Sequence, residues 1–289
     1  MSKPKYLIVN ADDFGQDKNV NLGVIQGHKN GILTSASIMS TADDAFYESI
    51  ELSRRYPSLD VGVHLVLCSD SLRQSKPVSK VHKVESLTDG DGFFLSSPIG
   101  WYKLFTKQDY VNVAEIELRA QIERILSCGI KPSHLNSHYY LTTLFPKLFR
   151  LTLKLAKEYN IPAVRISSEQ LRLLDLFSIH RSAVQKSLLL KIACRNYYKL
   201  IDNCSLLSSD YYLGVQDSEV LSEQILSKRL HQIMYGITEL LVHPAIHDSK
   251  YFNEKAQFDA LTSDKVKSLI KELNIVTTNF RALCQNRCV

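Results

Sequence analysis

No stretch of this 289-residue chain approaches the roughly 18 consecutive apolar residues that a membrane-spanning helix needs. The N-terminal apolar run, Tyr6-Leu7-Ile8-Val9, is short and ends in Asn10-Ala11-Asp12-Asp13, which does not fit a signal peptide. An integral membrane segment is therefore not expected, and a cytoplasmic location is the default. Cysteine is sparse. Cys68, Cys128, Cys194, Cys204, Cys284 and Cys288 form no CxxC pair, so free thiols are expected rather than a disulfide framework. Glycine is scarce too, at 11 residues, and neither an internal repeat, a low-complexity tract nor a linker interrupts the chain. One domain spanning 1–289 is the expectation. A broad basic surface is also missing. Six cations (Arg172, Arg181, Lys186, Lys191, Arg195, Lys199) against Asp175 account for the whole net charge of +5, leaving the rest near neutral. That is one local element and no nucleic-acid footprint.

What remains is ordinary in bulk, 45% hydrophobic and 22% charged, and informative in pattern. Short apolar runs alternate with amphipathic stretches, which predicts repeated βα units. The expected strands are Tyr6–Val9, Ser35–Met39, Val61–Leu67, His134–Ser137, Ala163–Ile166, Glu239–Val242 and a last short one at Asn274–Thr278. Asp109 is placed to cap a helix over Val113–Cys128 that Gly129 ends; Pro146 opens a second; Thr262 or Ser263 begins a third. In Arg181–Tyr198, Val184, Leu188, Ile192 and Cys194 read as an apolar stripe beside Lys186, Lys191 and Arg195. A surface helix with a solvated cationic face is the first reading, with membrane-surface contact or a dimer interface as others. Ser69–Phe94 is a long irregular segment, the kind that serves as a lid or binding loop, and its Asp89-Gly90-Asp91-Gly92 reads as a turn.

The chemistry gathers where strands end. Asp12 and Asp13 repel each other at the end of the first strand, and a cation or a shared proton relieves that. A structural carboxylate bonded to backbone amides is the plainer reading for Asp12. His64 interrupts Val61-Gly62-Val63-His64-Leu65; taken singly, it reads as a hydrogen-bonded core residue sooner than a ligand. Alternation puts His134, Asn136 and His138 on one face of the fourth run. His243 closes a buried strand. Acids and imidazoles thus follow four separate strands, all at carboxyl ends, where a βα barrel builds its site. A mixed Asp and His set leaves open positions of the kind a catalytic divalent metal requires.

These residues carry a resemblance. Asn10-Ala11-Asp12-Asp13-Phe14-Gly15, Val61-Gly62-Val63-His64-Leu65, His134-Leu135-Asn136-Ser137-His138 and His243-Pro244 resemble, in order and spacing, the motifs of the YdjC-like carbohydrate deacetylases, which include chitooligosaccharide deacetylases. Weaker likeness runs through Ile161–Arg165 and Phe258–Leu283. The resemblance implies an α/β fold, a (β/α) barrel-like architecture with its active site at the carboxyl ends of the strands. It implies Asp13, His64 and His138 as ligands of Mg2+ or Zn2+, Asp12 as general base and His243 as general acid. Arg165, Asn136 and Tyr139 are implied to contact substrate or to support those groups. The partner would be an acetylated sugar, and family members are often homodimers. The chain departs from the pattern at Asn136, where the family commonly has Asp, at Tyr139 and Tyr140, where it has further histidines, and at Ala245, where it has Gly. Two rivals fit the same residues: a metal-dependent hydrolase of an ester or phosphoester, and a barrel that binds a glycan without turnover.

Overall fold

The first strand carries the architecture. The computed structural model describes residues 4–69, 73–97, 106, 109–170, 181–249 and 253–287; Arg172, Asp175 and Cys288 lie outside the described residues. β1 (Lys5–Phe14) does not stop at Val9. It runs on through the two aspartates, because neighbouring strands supply hydrogen-bond partners along its length. The others are β2 (Ser35–Ile38), β3 (Asp60–Leu65), β4 (His134–Ser137), β5 (Ala163–Val164), β6 (Tyr211–Leu213), β7 (Gly236–Val242) and β8 (Ile275–Thr278).

All pairings are parallel, in the order β5-β4-β3-β2-β1-β7-β6. β7 covers one edge of β1 from Lys5 to Ala11. The other edge is shared: β8 lies beside Lys5–Ile8 and β2 beside Asn10–Phe14. The two ends of the order approach each other through bridges between Ala163 and Leu207 and between Glu169 and Tyr212. The sheet thereby curls into the expected barrel-like form. Helices alternate with the strands, and both sheet faces are buried: Leu7, Val9 and Ala11 in the larger core, Ile8 in a second cluster with Ala163, Leu207 and Phe280. β6 escaped the sequence reading, because Tyr211-Tyr212-Leu213 is too short to show alternation.

The helix expectations meet mixed outcomes. Pro146 opens Pro146–Glu158 at its first turn, and Ser263 caps Asp264–Glu272 by accepting from the Val266 N–H. The Asp109 helix starts earlier, spanning Tyr110–Ser127, and Asp109 makes no side-chain capping bond. The stripe expected on the basic helix is turned over. In Arg181–Ala193, Leu188 and Ile192 are exposed, while Ser187, Leu190 and, just beyond, Cys194 are buried. Spacing alone does not tell which of two apolar sides a helix buries.

In the long segment after β3, Asp89 Oδ1 accepts from the N–H groups of Asp91 and Phe93 (both 3.0 Å), the plain turn expected. Residues 78 and 79 are tied down by Glu117, which accepts both backbone N–H groups. The described cysteines are free thiols. Among the described residues no helix is long and apolar enough to cross a membrane.

Candidate active site

Adjacent residues of a regular strand point to opposite faces, yet Asp12 and Asp13 line one cavity. A bulge makes this possible. The β1–β2 register slips between Ala11 and Phe14, and Asp13 takes φ +62°, a left-handed conformation that non-glycine residues adopt at a cost. Gly15 follows at φ +95°, where a Cβ would stand 2.9 Å from Ser49 Oγ.

The bulge aims Asp13 at two histidines. Asp13 Oδ1 lies 3.1 Å from His64 Nε2 and 3.2 Å from His138 Nδ1. The two nitrogens are 3.3 Å apart. Donor atoms around a tetrahedral ion at about 2.0 Å would stand about 3.3 Å from one another, so the three atoms have the spacing of a shared centre. Asp13 Oδ1 is buried and has no hydrogen-bond partner, which suits a metal ligand. Among the described residues this trio is the cluster of three or more such groups able to hold a metal ion. Burial would raise the Asp13 carboxyl, but His138 and His64 outweigh it and hold it well below the usual carboxylate range.

His64 owes its orientation to register. It is the cross-strand partner of Asn136, whose Oδ1 lies 2.8 Å from His64 Nδ1. An amide oxygen only accepts, so Nδ1 carries the proton and Nε2 turns a lone pair toward Asp13 and His138. Burial lowers the His64 pKa, and Asp12 and Asp13 outweigh that and raise it.

The nitrogen of the same amide donates to Asp12 Oδ1 (3.0 Å) and Ser37 Oγ (2.9 Å). Asn136 therefore serves His64 and the neighbouring carboxylate at once. An aspartate here would present a second negative oxygen to Asp12, which explains in this chain why an uncharged amide fits.

Asp12 is the most heavily bonded group of the site. Arg165 grips it in a fork, Nη1 on Oδ2 at 2.6 Å and Nη2 on Oδ1 at 2.8 Å. Oδ1 also accepts from Asn10 Nδ2 (2.9 Å) and Ser37 Oγ (3.1 Å). Burial pushes the Asp12 carboxyl up, but Arg165 and His64 bring it down to about 2. Glu239, wholly buried on β7, holds the third guanidinium nitrogen of Arg165 at 2.7 Å, and the Tyr212 ring lies 5.5 Å from the guanidinium.

His243 follows β7, and its backbone N–H donates to Gln257 Oε1 at 2.8 Å. Its imidazole lines the cavity, where burial pushes its pKa below the ordinary histidine value. Tyr139 and Tyr140 follow His138 with φ +53° and +59°, two consecutive left-handed residues that turn both side chains into the cavity wall. The cavity holds about 650 Å³ of space opening to solvent. Arg73 comes in from the long loop, paired twice with Glu254 (2.8 and 3.0 Å) and bonded to Gln16 (2.7 Å).

Asp12, Asp13, His64, His138, Tyr139 and His243 thus line one cavity, with Asn136 and Arg165 bonded to its carboxylate. His134 is not among them: it shares their strand but lies deeper, stacked on Phe280 at 4.3 Å. Elsewhere Tyr197 stacks on Phe149 (3.7 Å) and the Tyr212 ring backs Arg165, so both are packing residues. Sequence reading assigns no site role to Glu239, Ser37, Asn10, Tyr140 or Arg73, although Asn10 opens the first motif, Tyr140 stands at a departure from the family pattern and Arg73 lies in the segment expected to be a lid or binding loop. A Glu inside the apolar run Gly236–Val242 was a signal for the first.

An α/β barrel-like sheet thus carries, at the carboxyl ends of its strands, an Asp-His-His cluster able to hold a metal ion beside a buried carboxylate. Residues 6–272 match the family model of the YdjC-like proteins, and the chain belongs to that family. A carbohydrate deacetylase from Brevibacillus brevis is 32% identical, covering 96% of this chain and 99% of its own. One from Clostridium beijerinckii is 29% identical, covering 95% and 98%. A crystal structure from Enterococcus faecalis, described in terms of cellobiose-phosphate cleavage, superposes with a TM-score of 0.77 at 28% identity, covering 97% of this chain and 99% of that one.

Proposed function

We propose that this chain is a metal-dependent carbohydrate deacetylase that removes the acetyl group from an N-acetylated sugar or short oligosaccharide. The observation that carries the reading is the spacing of Asp13 Oδ1, His64 Nε2 and His138 Nδ1 beside a separately clamped Asp12. Counted as carboxylates, Asp12, Asp13 and Glu239 exceed the single guanidinium of Arg165 by two charges, the charge of one divalent ion such as Mg2+ or Zn2+. Such an ion, when bound, supplies Lewis acidity to the acetyl carbonyl and to an attacking water.

The remaining work falls to the chain. Oδ1 of Asp12 already accepts four bonds, from Asn10, Ser37, Asn136 and Arg165, whereas Oδ2 accepts from Arg165 alone. Oδ2 is thus the atom that takes the water proton. The low pKa of Asp12 keeps it ionised and lets the proton pass on readily. The amine leaves only when protonated, and His243, which lines the same cavity, is the donor: an imidazole pushed below its ordinary value is a strong acid once it carries a proton. Arg165 keeps the carboxylate from rotating. Tyr139 offers the sugar an aromatic face next to the ligand His138, whose ring it meets edge-on at 4.4 Å.

Acetate release from N-acetylglucosamine oligomers tests the reading. Release should stop on chelation, return with Zn2+ or Mg2+, and fall by about 10²–10⁴-fold in Asp12→Asn. The description of the Enterococcus faecalis structure motivates a rival, cleavage of a glycosidic or phosphate bond. Such cleavage without acetate release would overturn the proposal.

A further inference from the structure

The helix Arg181–Ala193 rests on the body of the protein through Ser187 and Leu190, and its continuation through Cys194 and Tyr197, all buried. Its opposite side is apolar as well. Leu188, Leu189 and Ile192 are 49%, 57% and 65% exposed. Lys191, Arg195 and Lys199 are exposed beside them, and from Ser182 to Ile201 the chain has no carboxylate. Leu188 and Ile192, four positions apart, share one face of the helix, with Lys191 next to Ile192 and Arg195 and Lys199 in the turns that follow.

We propose that this face docks the protein on an anionic lipid surface, with Leu188, Leu189 and Ile192 entering the headgroup boundary and the three cations pairing with lipid phosphates. Charge selects the occupant. A second copy packed about a twofold axis would bring the cations against their own counterparts. Three aliphatic side chains also fall well short of the roughly 800 Å² per partner that a stable dimer buries. A nucleic acid would match the charge but leave the leucines in water. Lys186, on the same helix, lines the cavity together with Tyr140, so one helix joins the proposed docking face to the wall of the site.

The test is co-sedimentation of the full chain with phosphatidylcholine vesicles, with and without phosphatidylglycerol, at low and high salt. Partition is expected only with the anionic vesicles, and salt should weaken it. Lys191→Gln with Arg195→Gln should weaken it by roughly fivefold per removed cation. Leu188→Ser with Ile192→Ser should weaken it by about tenfold or more. Lys265→Gln with Lys271→Gln removes the same charge from a distant exposed helix and should leave partition within about twofold. The four substituted docking-face side chains are exposed, so these variants should fold, which circular dichroism verifies. No partition, equal partition onto neutral vesicles, or an equal loss in the distant control overturns the proposal. So does light scattering that finds a dimer split by Leu188→Ser with Ile192→Ser, since the occupant is then a second copy.

Discussion

Two histidines stand inside the barrel, His64 at 1% exposure and His134 at 0%, and they have opposite chemistry. His64, near the carboxyl end of β3, faces Asp12, Asp13 and the Asn136 oxygen, and these raise its pKa against the effect of burial. His134, at the amino end of β4, stacks on Phe280 and bonds Ser133 Oγ at 3.0 Å. Burial and the nearby Arg165 push it down to about 3. Burial is common to both. What separates them is the charge each one faces: the bulge of β1 sets two carboxylates beside His64, whereas Arg165 is the charge that weighs most on His134. The carboxyl end of this sheet is a charged, strained site and the deeper layer is a packed core.

The sharpest way to break the contrast is His64→Ala. If the upper histidine is a metal ligand, Zn2+ affinity should fall by more than about a hundredfold, since losing a ligand exceeds the ten- to hundredfold cost of losing an outer partner. Deacetylation should fall with it. Calorimetric titration that finds unchanged Zn2+ uptake would make His64 a core residue like His134.

A smaller effect is expected at Asn136. Asn136→Ala should weaken metal binding by about 10–100-fold, because His64 loses the acceptor that sets its tautomer. Asn136→Asp restores that acceptor but replaces the donor to Asp12 with a carboxylate oxygen. Metal affinity should then recover further than turnover. Recovery of both together would mean that the amide nitrogen has no separate role.

Much of the upper layer was legible in the sequence because each of its residues breaks a local pattern. Two acids after an apolar run, a histidine inside Val61–Leu65 and another closing Leu240–Val242 are misplaced unless they share a site. Order and spacing then tied them to a family. The bulge was not legible: it is a register slip between β1 and β2, and no residue type marks it. Arg165 was visible as a residue, but its grip on Asp12 spans 153 positions and emerges only when β5 and β1 face the same interior. The alternation that placed His134 with Asn136 and His138 named the right face and said nothing of depth. Burial of the basic helix failed for a related reason, since leucines at 188, 189 and 190 offer two apolar sides and only packing chooses between them.

His134→Gln probes the lower end and should leave metal affinity and turnover within a few-fold of the parent. Its effect belongs to stability. A histidine at about 3 in the folded chain and near 6.5 when unfolded binds more protons unfolded, so stability is fully present above pH 6.5 and is lost as pH falls toward 3. At pH 5 that loss amounts to about 2 kcal/mol. Glutamine does not titrate, so the variant should gain about 2 kcal/mol on the parent between pH 7.5 and pH 5, read as the change in denaturant midpoint at each pH. A parent and variant that weaken in parallel on acidification would place the proton elsewhere. A large loss of Zn2+ affinity in His134→Gln would be the heavier blow, because the two layers would then act as one site.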